Sequence, residues 1–206
     1  MHWLKPILLL ALIAFPAQMT QMALSPADEL LQEYAQRVRQ DARVGEQVSL
    51  TDEMFSKMRE TFKEYPAICS KPHIKAVSAS SVPFGQEDWD AVAIAGRGMC
   101  YCTMIGNCRM WIYRIKNGKM HKIFQTEEAA AFGFVRSRSG TPLLIVWTRE
   151  SAVEKFAVVY KLDYGEFLEA ASWKEVYEYQ DEHEEYRVHD TPKIYSTMPL
   201  GVFLPY

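Results

Sequence analysis

The sequence predicts an α+β domain: two N-terminal helices followed by an antiparallel β-meander of hairpins, disulfide-stapled. Three observations carry this reading. Apolar residues recur at helical spacing in the first part of the chain. From about Ile74 onward the period is that of strands, punctuated by short turn signals. Four Cys occur in a chain whose N-terminus has the form of an export signal, which favours cystines over free thiols.

The chain starts Met1-His2-Trp3-Leu4-Lys5, and an apolar run from Pro6 to Phe15 follows. That run is shorter than the roughly twenty apolar residues of a spanning helix and has the length of a signal-peptide core. We therefore expect residues 1–23 to be a signal peptide, with cleavage between Gln18 and Ser25, and residues 24–206 to form a single globular domain. No Cys lies near this boundary to carry a lipid anchor, and no second run long enough to cross a membrane follows. The expected location is periplasmic or secreted. Composition agrees with a folded domain: 49 % hydrophobic, 13 % aromatic and 24 % charged residues. A net charge of −3 argues against a nucleic-acid binder, which needs a basic excess.

Each element has a local reason. Ser25-Pro26-Ala27-Asp28 is a helix start, with Ser as cap and Pro in the first turn. Ala27, Leu30, Leu31, Tyr34 and Val38 make its apolar stripe, and Gly45 ends the segment. Thr51-Asp52-Glu53 caps a second helix striped by Met54, Phe55, Met58, Phe62 and Tyr65 and stopped by Pro66. Trp89 to Ala95 reads as a strand, and Ser78-Ala79-Ser80-Ser81 as strand or turn. Three hairpins follow, turning at Asn117-Gly118, Ser139-Gly140 and Tyr164-Gly165. Tyr177 to Glu185 is expected to be a loop or short helix, and Lys193 to Tyr195 a last strand. A partly closed barrel or propeller-like arrangement is the alternative to an open meander.

The densest chemistry is Met99-Cys100-Tyr101-Cys102-Thr103-Met104-Ile105-Gly106-Asn107-Cys108-Arg109-Met110-Trp111. Four Cys allow three pairings. Cys100 and Cys102 would sit on one face of a strand, near the upper limit for a bridge. Cys102 and Cys108 enclose a five-residue loop with its own turn residues, so a bridge there would staple neighbouring strands and leave Cys69 with Cys100. The same stretch offers soft ligands at Met99, Cys100, Cys102, Met104, Cys108 and Met110, which would suit Cu(I) if the thiols stayed reduced. The redox spacing Cys-x-x-Cys is absent.

Cys102-Thr-Met-Ile-Gly-Asn-Cys108 followed by Met110-Trp111-Ile112-Tyr113 is similar to a Cys-Gly-x-Thr-Gly-Asn-Cys-x-x-Trp-Val-Phe pattern of uncharacterised exported bacterial proteins. The resemblance runs on through Phe132-Gly133-Phe134, Ser151-Ala152-Val153-Glu154 and Val159 to Asp163, covering roughly Asp90 to Phe167. It implies a stapled loop in an exported β-rich domain and no assigned activity. Those proteins often carry an Asp-Gly-Asp-Gly stretch ahead of the loop. This chain has Gly85-Gln-Glu-Asp-Trp-Asp90 there, so calcium binding does not carry over.

Other chemistry is sparse. His183 lies among Asp181, Glu182, Glu184 and Glu185, six residues before His189, which is not a helical ligand spacing. No Gly-x-Ser-x-Gly is present, and Gly96-Arg97-Gly98 lacks the rest of a phosphate fingerprint. Glu127, Glu128 and Glu154 show no division of acid and base roles. The expected function is an exported, non-enzymatic binding domain of the bacterial envelope without a cofactor. Tyr177, Tyr179, His183 and Tyr186 are its expected contacts to a protein or glycan, a basic protein such as a cell-wall hydrolase among them. The alternatives are a hydrolase whose site assembles only in the fold and a copper-handling protein using the Cys and Met cluster.

Overall fold

A computed structural model describes residues 26–58, 77–83, 90–182, 185–188 and 191–197. The signal segment, Cys69, His183 and His189 lie outside these described residues.

Chain order is α1 (Pro26–Asp41), β1 (Gln47–Val48), α2 (Asp52–Met58), β2 (Val77–Ser81), β3 (Asp90–Gly96), β4 (Cys108–Lys116), β5 (Lys119–Ala129) and β6 (Ala131–Arg136). It continues with β7 (Pro142–Arg149), β8 (Glu154–Asp163), β9 (Glu166–Val176), β10 (Tyr179–Glu182), β11 (Glu185–Val188) and β12 (Lys193–Ser196). The three expected hairpins are present, and their turns carry positive φ, at Asn117 (52°) with Gly118 (69°), at Gly140 (81°), and at Tyr164 (46°) with Gly165 (88°). Thr51 caps α2 as its sequence requires, accepting from Met54 N–H at 3.2 Å.

The meander is not one sheet. Strands pair in the order β1-β2-β3-β4-β5 in one five-stranded sheet and β12-β9-β8-β7-β6 in a second, all antiparallel where they pair. Only Ala130 separates β5 from β6. The two sheets face each other across a core built from alternate residues: Ala91, Ala93, Met110 and Ile112 from the first sheet meet Phe134, Leu144, Val146 and Phe167 from the second. The intervening residues point the other way. In the second sheet, Leu143, Ile145, Ala157, Val159 and Trp173 pack under Leu31, Tyr34, Ala35 and Val38 of α1. In the first, Val92, Ile94, Trp111 and Tyr113 pack under Phe55 and Met58 of α2.

The result is four layers, helix–sheet–sheet–helix. Each helix covers a different sheet. Central strands are therefore buried on both faces, which is why β7 reads Leu143-Leu-Ile-Val without alternation. Each such side chain taken from water contributes about 1.5–3 kcal/mol.

The link from α1 to α2 straps both sheets. Arg43 exchanges backbone bonds with Phe134 of β6 (2.9 and 2.8 Å), and Ser81 N–H donates to Glu46 O at 2.8 Å. Gly45 is needed because a Cβ there would lie 1.8 Å from Ser81 O. The segment expected to be a loop or short helix is instead a separate hairpin, β10 on β11, with Tyr179 opposite Val188 and Asp181 opposite Tyr186. Low strand propensity of its acidic residues hid the pairing.

Candidate functional site: a stapled loop and a buried carboxylate

The connection between β3 and β4 begins where Gly96 lets Tyr101 close in. A Cβ at Gly96 would lie 2.2 Å from the Tyr101 Cβ. Tyr101 is buried and meets Trp111 edge-on, with ring centroids 5.9 Å apart. Gly98, at φ 70°, turns the chain, and its carbonyl accepts from Tyr101 and Cys102 N–H, both at 3.0 Å. Arg109 N–H then donates to Tyr101 O at 2.7 Å. This local pairing sets Cys102 opposite Cys108 with Cα atoms 3.9 Å apart, and the two form a disulfide. Cys100 is disulfide-bonded as well.

Inside the staple, Thr103 N–H donates to Asn107 O (2.7 Å), Gly106 N–H to Thr103 O (3.0 Å), and Asn107 N–H to Thr103 Oγ1 (3.2 Å). The Asn107 side chain is 2 % exposed and acts as a piece of strand. Its Nδ2 donates to Arg149 O at 2.8 Å and its Oδ1 accepts Arg149 N–H at 2.7 Å. Arg149 is the last residue of β7. A loop grown from the first sheet is thus locked onto the second. Arg149 Nη1 also donates to Ile105 O at 3.3 Å. Outward from this fixed frame stand Met99 (94 % exposed), Met104 (106 %) and Ile105 (47 %).

This geometry corrects the soft-ligand alternative. Cys102 and Cys108 hold each other, Cys100 is also in a disulfide, and Met110 is wholly buried between the sheets while Met99 and Met104 face solvent. The six sulfurs do not converge as thiolates and thioethers. Among the described residues, no group of three or more His, Cys, Asp or Glu is arranged to hold a metal ion.

The second constellation was not anticipated from sequence. Glu175 on β9 is fully buried. Its Oε1 accepts the indole N–H of Trp147 and of Trp173, each at 3.0 Å, and its Oε2 accepts the Tyr177 hydroxyl at 2.7 Å. Lys155 Nζ donates to the Tyr177 oxygen at 3.5 Å and lies 4.6 Å from the ring centroid, with the Arg39 guanidinium 5.6 Å away. Burial, then the bond to the Glu175 carboxylate, pushes the Tyr177 phenol well above its ordinary range. Burial lowers the Lys155 ammonium, with Glu175 opposing. Three donors on one carboxylate make a structural anchor, holding β7, β9 and the chain after β9 under α1.

Tyr177 is therefore not a surface contact: it is 7 % exposed and its hydroxyl points inward. The sequence signal was Trp173-Lys-Glu-Val-Tyr177, in which alternate residues share one strand face and two of the three are aromatic. Tyr179 and Tyr186 fall on β10 and β11, outside both five-stranded sheets. His121, the one His among the described residues, is exposed on β5. An open cleft of about 280 Å³ lies between α1 and the chain before β12, lined by Gln36, Arg39, Gln40 and Thr191. Among the described residues, its lining is amide, guanidinium and hydroxyl.

No protein family, curated protein or solved structure matches this chain.

Proposed function

We propose that the protein is an exported, non-enzymatic binding domain of the bacterial envelope whose contact is the stapled loop. The observation that carries this is the loop's construction. A disulfide, a buried asparagine and an arginine hold its backbone, while Met99, Met104 and Ile105 are left in solvent. Large apolar side chains on a pre-organised frame cost water contacts and give nothing to folding, which is the signature of a surface meant to be covered. Pre-organisation also removes most of the ordering cost of binding. Disulfides suit an oxidising compartment and agree with the export signal read in residues 1–23. The resemblance to exported proteins carrying a Cys-flanked Asn-Cys loop points the same way. A partner would seat on this end of the sandwich.

Site-specific photo-crosslinking in cells tests the proposal. A photoreactive residue at position 104 should give a defined adduct. The control is position 164, also fully exposed. The side chain of Arg114, six residues along β4 from Cys108, reaches the turn that carries position 164: its Nη1 would lie 3.3 Å from a Cβ on Gly165. That places the control roughly 20 Å from the staple. Equal labelling from both positions, or none from 104, would remove the loop as the contact.

A further inference from the structure

We infer that the surface covering this loop is an anionic lipid bilayer, with the loop apex entering the headgroup interface; this rests on the binding reading above and names its partner. Exposure is the first argument. Met104 is completely exposed and Met99 nearly so, and each lies in a turn, Met99 just before the staple and Met104 inside it. Protein hot spots sit in well-packed recesses at the centre of an interface. An exposed apolar tip fits a soft medium that closes around it.

Backbone chemistry is the second argument. A segment entering an apolar region loses water as a hydrogen-bond partner, so its main chain must be satisfied from within. Here the N–H groups of Thr103, Gly106 and Asn107 donate inside the loop. The carbonyls of Thr103, Ile105 and Asn107 accept from Gly106, the Arg149 guanidinium and Thr103. The Asn107 amide is consumed by β7. What remains outward at the apex is the Met104 thioether, the Ile105 alkyl group and the Met104 peptide groups, so the tip belongs at the hydrated headgroup level and not in the hydrocarbon.

Charge is the third. The Arg149 guanidinium sits at the loop's neck on Ile105 O, and exposed Arg97 precedes Met99 by two residues. The neighbouring carboxylates are Glu127, paired with Arg109 at 2.5 Å, Glu150 and Glu154, which share Lys174 at 3.4 and 3.0 Å, and exposed Glu128; none of them pairs with Arg97 or Arg149 among the described ion pairs. The whole chain carries −3, so cations beside the apolar tip are a local arrangement and not a sample of a basic protein. Apolar apex with cationic neck is the order of groups that an interfacial anchor needs.

The test is flotation of the mature, disulfide-intact protein with vesicles of phosphatidylethanolamine and phosphatidylglycerol, against phosphatidylcholine alone. Binding should require the anionic lipid and weaken with salt. Met104→Asp should cut it about tenfold, through lost apolar burial and added negative charge. Arg97→Gln should cut it about fivefold, the worth of one cation at such a surface. Tyr164→Asp should change nothing, and near-UV circular dichroism shows each variant folded. Absence of flotation, or equal flotation of Met104→Asp and wild type, overturns the bilayer. If flotation is absent but position 104 crosslinks a protein or glycan in cells, the bilayer alone fails. If both fail, the binding reading falls with it.

Discussion

Asn107 and Glu175 are both buried side chains that gather hydrogen bonds from other strands, 2 % and 0 % exposed respectively. They differ in charge, and the difference decides what each can do. The Asn107 amide carries donor and acceptor together, so two bonds to one residue, Arg149, let it substitute for a strand partner. It needs no counter-charge, so it can sit at the rim of the sandwich and hold a loop whose other side chains face out. Glu175 carries a charge that must be met wherever it is buried. It takes three donors and two nearby cations to hold it, and these come from α1, β7, β8, β9 itself and the chain after β9. One polar group fixes a surface; the other fixes the packing of a helix on a sheet. Removing the second should therefore unfold the protein, and removing the first should mainly loosen the loop.

The largest expected effect is at Glu175. Glu175→Ala leaves two indole N–H groups and a phenol without an acceptor and the Lys155 ammonium without its opposing charge, a loss of about 3–5 kcal/mol. Glu175→Gln keeps an oxygen for the indoles and should cost about half as much. Urea denaturation read by tryptophan fluorescence measures both. A change under about 1 kcal/mol for the alanine variant would mean that the network relaxes around the gap, and the contrast with Asn107 would collapse.

That contrast also marks what the sequence could and could not show. Asn117-Gly118, Ser139-Gly140 and Tyr164-Gly165 announced their turns because positive φ is a local demand. The Cys102–Cys108 staple was legible for the same reason, since a five-residue loop with Gly106 closes on itself. The division into two sheets was not legible. A chain of hairpins has the same local pattern whether it curls as one sheet or leaves it at Ala130 for another. Nor was Glu175, because a lone acid in a strand reads as solvent-facing until α1 is known to lie over that face. Tyr177 was misplaced by its acidic neighbours: composition marked the segment as exposed, and the bond to Glu175 turned the ring inward.

A smaller and more local effect is expected at Asn107. Asn107→Ala strips a partner from both the N–H and the carbonyl of Arg149, for about 2 kcal/mol. Because the disulfide still closes the loop, the loss should appear as faster hydrogen exchange at Arg149 and Thr103 and a weaker adduct from position 104, with the helix-covered core protected as before. Global unfolding of this variant, with exchange rising evenly across β7, β8 and β9, would show that the loop anchor is part of the core after all.

The smallest effect is a slope in the alkaline range, and its sign follows from which state holds the proton. Tyr177 has its pKa raised in the folded protein by burial and by the Glu175 carboxylate beside it, and Tyr160 is raised by burial and Glu169. Above the phenol's ordinary value of about 10, the unfolded chain releases these protons while the folded chain keeps them. Their contribution is intact below that value and is lost as pH climbs beyond it. Lys155 works against the trend. Its pKa is lowered by burial, so below its ordinary value of about 10.4 the unfolded chain binds the extra proton, and that contribution grows with pH. The two signs separate by pH, with Lys155 acting below 10 and the tyrosines above it. The urea midpoint should therefore hold or rise slightly up to about pH 10 and fall beyond it. Tyr177→Phe should flatten the fall, and Lys155→Met should remove the rise. A fall as steep in Tyr177→Phe as in wild type would show that the Glu175 anchor does not govern the alkaline limb. Asn107→Ala should leave the slope untouched, since an amide binds no proton in this range.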